Sequence, residues 1–215
     1  MPRRQRDGTV PVEVLQTPLG PARAYRCRAA DPWATLILGH GAGRDSGTSD
    51  LLDLARALPP RGIEVVRFDQ PWVVAGRRVA GPPPTLDRAL LAAVPALDVA
   101  GRLLLGGRSA GARVACRTAG RLRAVGVLAL AFPLHPPGRP DRSRAPELVD
   151  TGAPVLVLQG ERDAFGRPDD VRAAAADVPS IEVVEVAGAD HALRAGLSEP
   201  LLELVADWVR GVARA

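Results

Sequence analysis

Residues 102–119, RLLLGGRSAGARVACRTA, constrain this chain more than any other stretch. The apolar run Leu103-Leu104-Leu105 stops at two glycines, Gly107-Arg108-Ser109-Ala110-Gly111 makes a G-x-S-x-G, and a helical pattern follows. The order predicts strand, sharp turn and helix, with Ser109 at the tip of the turn. On such an elbow a strained backbone pushes the serine hydroxyl out of the top of a sheet, and the next amide N–H points to the same spot. The glycines have a steric reason, since a side chain at either place would collide with the elbow or with the neighbouring strand. Ala112, Ala115, Cys116 and Ala119 then recur at helical spacing, a stripe of small residues that lets the helix lie close on a sheet. The five-residue pattern alone is unspecific. A Gly-rich strand-to-helix turn with an incidental serine is the competing explanation, and only the rest of the chain decides between them.

From residue 34 onward strands alternate with helices. Two N-terminal strands, 10–15 and 22–28, flank the turn Thr17-Pro18-Leu19-Gly20-Pro21. The continuous apolar run at 34–38 is expected to be a strand buried on both faces and 125–131 another buried strand, while 64–69, 154–158 and 181–186 are further strands beside the elbow strand. Helices are expected from Ser49 as N-cap (Leu51, Leu54, Ala55, Leu58, stopped by Pro59-Pro60) and from Thr85 as cap (Leu86, Ala89, Leu90, Ala93). Two more are expected at 169–178 and from near Ser198, the last with Leu201, Leu204, Val205, Trp208 and Val212 on one face. The alternation predicts an α/β fold: one domain over residues 1–215, a mostly parallel sheet of about seven or eight strands, and helices on both faces. Residues 1–9 are expected to be a flexible tail. Two long loops, 70–84 and 132–146, stand out, and loops of that length are usually functional or mobile.

Composition narrows the functions. The net charge is +4 and the pI about 10.2, which invites a nucleic-acid partner. All 28 basic residues are arginine, however, and they are interleaved with 24 acids without a basic stripe. The Arg3-Arg4-Gln5-Arg6 start is expected to be a solvated tail, and no nucleic-acid or membrane partner is expected. Cys27 and Cys116 fall in no C-x-x-C or metal spacing and read as small buried hydrophobes. No apolar stretch approaches a membrane span and no secretory pattern is visible, so a soluble cytoplasmic location is the expectation.

Ligands of open α/β sheets bind beyond the carboxyl ends of the strands, and three loops there carry complementary groups. Ser109 follows the elbow strand, Asp163 the next but one, and His191 the last. A serine is a poor nucleophile until an imidazole takes its proton, and the imidazole needs a carboxylate to hold its tautomer and stabilise its charge. Among three histidines, only His191 follows the last strand. His40 lies in a Gly-rich loop that it helps to shape. His135, between loop prolines, lines a pocket or is a plain loop residue, the latter being slightly favoured. Glu161 and Asp190 compete with Asp163 as the acid. Asp190 adjoins the histidine in sequence, which usually points its side chain elsewhere. Developing negative charge on a substrate oxygen needs N–H donors, for which Ala110, after the serine, and Ala42, in the loop after the strand at 34–38, are the candidates. No metal or organic cofactor is implied.

The stretches LILGHGAG (36–43), LLLGGRSAGARVA (103–115), FPLHPPGRP (132–140), VLVLQGERDAFG (155–166) and GADHAL (188–193) together resemble the α/β-hydrolase superfamily. Within it they are similar to bacterial relatives of the KANL/Tex-type, dienelactone-hydrolase-like branch without a large cap domain. The resemblance implies Ser109 as nucleophile, Asp163 as acid, His191 as base and an oxyanion loop at 40–43. It implies a serine hydrolase and supplies no substrate; a small ester or thioester is expected rather than an amide, whose leaving group is harder to expel. Some members of the wider group are interaction scaffolds, so a non-catalytic scaffold is the alternative. With no helical cap inserted, loops 70–84 and 132–146 should roof the pocket. Arg77, Arg78, Arg108, Arg139, Arg142 and Arg144 are candidates for favouring an anionic substrate, although each taken singly is more simply a solvated arginine. A dinucleotide site fails because G-x-G-x-x-G is incomplete at Arg44 in one frame and Ser46 in the other. A phosphate loop fails because Ala112-Arg113 stands where Lys-Ser/Thr is needed.

Overall fold

A computed structural model describes residues 11–43 and 45–214. The expected tail at 1–9 with its arginines, the first residue of the first expected strand, Val10, and Arg44 lie outside the described residues. In chain order the elements are β1 (Val12–Thr17), β2 (Gly20–Cys27), β3 (Ala34–Gly39), α1 (Ser49–Ala57), β4 (Ile63–Asp69), α2 (Pro71–Val74), α3 (Pro83–Ala93) and β5 (Arg102–Arg108). They continue with α4 (Ala110–Leu122), β6 (Val127–Leu130), α5 (Ala145–Val149), β7 (Val155–Gly160), α6 (Pro168–Ala174), β8 (Ile181–Val186) and α7 (Glu199–Arg214). The eight strands form one sheet in the order β1-β2-β4-β3-β5-β6-β7-β8. β1, β2 and β4 pair antiparallel, and every pair from β4 to β8 is parallel.

The central parallel strands β3 and β6 are continuous, mostly apolar runs because both faces are covered, whereas the edge strand β8, IEVVEV, is only partly buried. Leu36 and Leu38 of β3 pack with Leu51 and Leu54 of α1 and Val205 and Val209 of α7. Ile37, between them, points the other way, into a core shared with Leu90 of α3, Ala115 of α4, Leu148 of α5 and Val171 of α6. A strand's side chains alternate between faces, so a sheet wrapped on both sides needs apolar residues at every position. The small stripe on α4 is buried as its spacing predicts: Ala112, Ala115, Cys116 and Ala119 are at most 2% exposed. Burial pushes the Cys116 thiol up to about 12, which leaves it an inert core group.

Several boundaries differ from expectation for physical reasons. The 70–84 stretch is not all loop, because Pro71 starts the short helix α2 after Gln70. α3 begins at two prolines, whose missing N–H groups cost nothing in a first turn. Thr85 is therefore inside the helix, its hydroxyl donating to the Pro82 carbonyl at 2.7 Å, and is not its cap. Thr48, rather than Ser49, holds the cap position of α1. α6 ends at Ala174, short of the expected 178, ahead of Pro179, which disfavours helix in the residue before it. On α7 the deepest residues are Leu202, Val205, Ala206, Val209 and Ala213. The predicted Leu201, Leu204, Trp208 and Val212 flank that line half-buried; the seam is centred on Val205 and Val209, both fully buried, so the face is rotated from the one expected.

α4 is tied to its neighbours by charge as well as packing. Glu147 of α5 accepts from both Arg113 and Arg117 of α4, and Arg117 also makes a two-pronged pair with Asp87 of α3. Burial pushes the Glu147 carboxyl up, but the hydrogen bond and charge of Arg113, joined by Arg117, outweigh it and hold the group below its ordinary value. A carboxyl depressed in the folded state stabilises above its unfolded value, and that contribution is lost as pH falls through the folded value. Wild-type stability should therefore fall more steeply than that of Glu147→Gln as pH drops below about 4.3. Parallel curves from acid titrations of thermal stability would show that the pair contributes nothing.

β3 and β5 lie side by side, with Gly39 opposite Gly107. From β3 the chain goes on to β4 on one side, while β5 occupies the other. The loops leaving β3 and β5 therefore part here, opening the crevice at a topological switch point where ligands of such sheets bind.

Candidate active site

Ser109 sits in this crevice between β5 and α4. Its backbone has φ 53° and ψ −109°, a conformation that disfavours any residue with a Cβ. The surroundings impose it. The Ser109 N–H donates to the Leu130 carbonyl at the end of β6 at 2.9 Å, and the Ser109 carbonyl accepts from Arg113 in the first turn of α4 at 3.2 Å. The flanking glycines meet the steric need expected of them. A Cβ on Gly107, where φ is 151°, would lie 2.4 Å from the Gly39 carbonyl oxygen, and one on Gly111 would lie 2.3 Å from the same atom. Absence of side chains thus lets β5 and α4 close against β3, and that closure holds the serine in its strained turn.

The Ser109 hydroxyl lies 2.9 Å from Nε2 of His191, and Nδ1 of His191 lies 2.8 Å from Oδ2 of Asp163. Asp163 is only 2% exposed. Its Oδ1 accepts the Phe165 N–H at 2.8 Å, and its Oδ2 also accepts from Nε2 of Gln159 at 3.0 Å. An acceptor-only carboxylate facing Nδ1 places the imidazole proton on Nδ1 and leaves Nε2 bare towards the serine. Phe165 stacks on His191, with ring centroids 4.0 Å apart and an interplanar angle of 28°. The competing acids are committed elsewhere. Glu161 accepts the Gly188 N–H at 2.6 Å, and Asp190 accepts the Ala192 N–H at 2.9 Å. Asp69, at the end of β4, accepts the Ser46 N–H at 2.7 Å.

Ser109 and His191 open into a cleft of about 430 Å³ whose other lining residues include Ala42, Ala110, Arg108 and Phe165. As the first residue of α4, Ala110 has an N–H with no helical carbonyl to bond, at the positive end of the helix dipole. Ala42 belongs to the loop after β3, which His40 shapes: its Nδ1 lies 2.7 Å from the Gly41 carbonyl and its Nε2 accepts the Gln70 N–H at 3.1 Å.

Two suggested pocket residues do not line this cleft. His40 is 3% exposed and faces an adjoining cranny, which shares Gly41, Ala42 and Ala110 with the cleft, beside Trp72, whose ring centroid is 5.4 Å away. His135 turns its Nδ1 onto the Pro136 carbonyl at 3.0 Å. The roof is also one-sided. Residues 132–146 supply Pro133 and Arg144 to the cleft, whereas Gln70, Trp72 and Ala80 of the 70–84 segment line the cranny instead. Trp72 closes that side by packing on His40. Of the nominated arginines, Arg77, Arg78, Arg139 and Arg142 are exposed, and only Arg108 and Arg144 line the cleft.

Arg108 does more than line it. Its guanidinium donates to the His191 carbonyl at 2.7 Å, and its Nε is 3.2 Å from Oδ2 of the fully buried Asp50. Burial raises the Asp50 carboxyl above its ordinary value, against the Thr48 hydroxyl and the Arg108 charge. The residue preceding the serine thereby links α1 to the histidine loop.

Asp50, Gln159 and Phe165 escaped the sequence reading. Gln159 had a signal: a polar residue in the otherwise apolar run VLVLQ of a strand buried on both faces. Asp50 resembled an ordinary acid in a first helical turn, and Phe165 had no periodicity to mark it. Among the described residues no cluster of three or more His, Cys, Asp or Glu could hold a metal ion, and no helix is long and apolar enough to cross a membrane.

The alpha/beta hydrolase domain pattern matches residues 32–201. Among solved structures, an alpha-beta serine hydrolase homologue from Coxiella burnetii is 20% identical, with 98% of this chain and 99% of that one covered at a TM-score of 0.73. A serine hydrolase without a lid from Xanthomonas campestris is 21% identical over 99% and 97% of the two chains, with a TM-score of 0.70. Est1E from Butyrivibrio proteoclasticus is 14% identical over 95% and 99%, with a TM-score of 0.76.

Proposed function

The chain belongs to the alpha/beta hydrolase domain family, and on that premise we propose that it is a serine hydrolase that cleaves a small ester or thioester through an acyl-enzyme. The observation that carries this reading is the unbroken line of hydrogen bonds from Asp163 through His191 to the strained Ser109, opening on a cleft of ligand size. Nε2 of His191 takes the Ser109 proton as Oγ attacks the carbonyl carbon. The oxyanion that forms is held by the N–H groups of Ala110 and Ala42. As the tetrahedral species collapses, the His191 proton passes to the departing alkoxide or thiolate. Water then enters, gives a proton to Nε2 and attacks the acyl carbon. Collapse releases the acid and returns the proton to Ser109. Asp163 stays ionised and stabilises the imidazolium. Esters and thioesters are favoured over amides because their leaving groups need less help to depart.

The test is labelling by a fluorophosphonate probe, which reacts with an activated serine. The wild type should be labelled on Ser109. Equal labelling of Ser109→Ala or no labelling of folded wild type would overturn the reading.

A further inference from the structure

Three arginines, Arg108, Arg113 and Arg144, line the cleft beside Ser109, and among the described residues no Asp or Glu lines it. Their charges are not equally compensated. Arg108 is paired with Asp50. Arg113 is paired with Glu147, and behind it Arg117 shares Glu147 and Asp87. The two carboxylates of that cluster are thus spent on Arg113 and Arg117. Arg144 has no carboxylate within 4.0 Å among the described residues, and its guanidinium makes one hydrogen bond there, NH1 to the Pro133 carbonyl at 3.1 Å. Its Nε and NH2 edge remains uncommitted. The group is partly buried, and its proton is held less tightly than usual, through desolvation first and the neighbouring Arg113 charge second, with the Glu147 charge, beyond ion-pair distance, only partly opposing them. An unpaired, partly desolvated cation is costly where it stands, and a planar anion is its natural counterpart.

We propose that Arg144 is the anion subsite of this cleft and that the acyl substrate carries a carboxylate, which the Nε/NH2 edge of Arg144 receives while Ser109 attacks the ester or thioester carbonyl. The inference rests on the hydrolase reading and adds the substrate class. Side-on pairing of guanidinium with carboxylate gives two parallel N–H···O bonds and fixes orientation as well as charge. The carboxylate is remote from the reacting carbonyl, so its contact is made equally in ground and transition states and should appear chiefly in KM.

The test compares mono-p-nitrophenyl adipate with p-nitrophenyl hexanoate, acyl groups of equal chain length that differ in a terminal carboxylate. Wild type should favour the adipate by about tenfold in kcat/KM, the scale of one charged hydrogen-bonded contact. Arg144→Gln should abolish that preference by raising KM for the adipate, leave the hexanoate within about twofold, and be partly rescued in Arg144→Lys. Added salt should weaken the preference. A wild type that prefers the hexanoate, or an Arg144→Gln that slows both esters alike, would overturn the subsite and leave the hydrolase reading intact. If neither ester is turned over, free adipate should still slow fluorophosphonate labelling of wild type and not of Arg144→Gln; equal labelling rates overturn the subsite. Failure of the probe to label wild type at all removes the hydrolase reading and the subsite with it.

Discussion

Ser109→Ala is expected to lower kcat for a p-nitrophenyl ester by about 10⁶-fold, since loss of the nucleophile costs as much as loss of the whole set of cooperating groups. A companion variant separates chemistry from folding. Ser109 holds φ 53° and ψ −109°, and a non-glycine residue in such a sparsely populated region costs about 1–3 kcal/mol. Alanine keeps the Cβ and hence the strain. Glycine removes it, at an entropic cost of about 0.5–1 kcal/mol. Ser109→Gly should be as inactive as Ser109→Ala but more stable by about 1 kcal/mol, a rise in melting temperature of about 2–4 °C for a chain of this size. Activity and stability are then opposed at one residue, as expected where strain serves to present a hydroxyl. Equal melting temperatures for the two variants would mean that the elbow stores no strain. Appreciable residual turnover in both would mean that Ser109 is not the nucleophile.

The second large effect is on folding. Gly107→Ala should destabilise the protein by about 4 kcal/mol or more, among the largest single-residue effects, and lower its melting temperature by roughly 10 °C. Two mechanisms act together. The added Cβ meets the Gly39 carbonyl oxygen at 2.4 Å and the Gly39 nitrogen at 2.9 Å, and φ is 151°. The obstacle is backbone of an adjacent, fully paired strand, so it cannot rotate aside as a side chain could. Relief requires β3 and β5 to separate where the Ser109 turn and the loop of Ala42 meet, and activity should fall with stability. Gly120→Ala is the internal control. Gly120 lies in α4, and a Cβ there would meet nothing within 4 Å, so the change should stabilise the helix by up to about 1 kcal/mol. Comparable melting temperatures for the two variants would refute the close approach of β3 and β5.

How the site was legible differs from residue to residue. Ser109, Asp163 and His191 could be nominated because each stands just past a strand's carboxyl end, a position visible in local pattern. Asp163 could be preferred to Glu161 and Asp190 only by argument about turns. The structure shows what occupies the rejected two, the N–H groups of Gly188 and Ala192. The arginines were not legible in the same way. Six were nominated alike, and nothing in their spacing separated exposed Arg77 from Arg144 in the cleft. A guanidinium's character depends on which carboxylates reach it, and Glu147 meets Arg113 across 34 residues of chain.

From the sequence alone came the alternation of strands and helices, the burial of the central parallel strands β3 and β6, the need for glycine on both sides of Ser109, and the order of the three polar groups. These follow from near-neighbour effects: strand and helix periodicity, the missing Cβ of glycine, and the fixed φ of proline. Only the tertiary structure decided that Arg108 would link buried Asp50 to the His191 loop, that Phe165 would stack on the imidazole, that Trp72 would close one side while Arg144 faced the cleft, and that α7 would seat on the face of Val205 and Val209. Those outcomes depend on long side chains meeting across the fold, as His191 meets Ser109 from 82 residues away. Such distances are set by strand order and helix packing, which no single stretch of the chain contains.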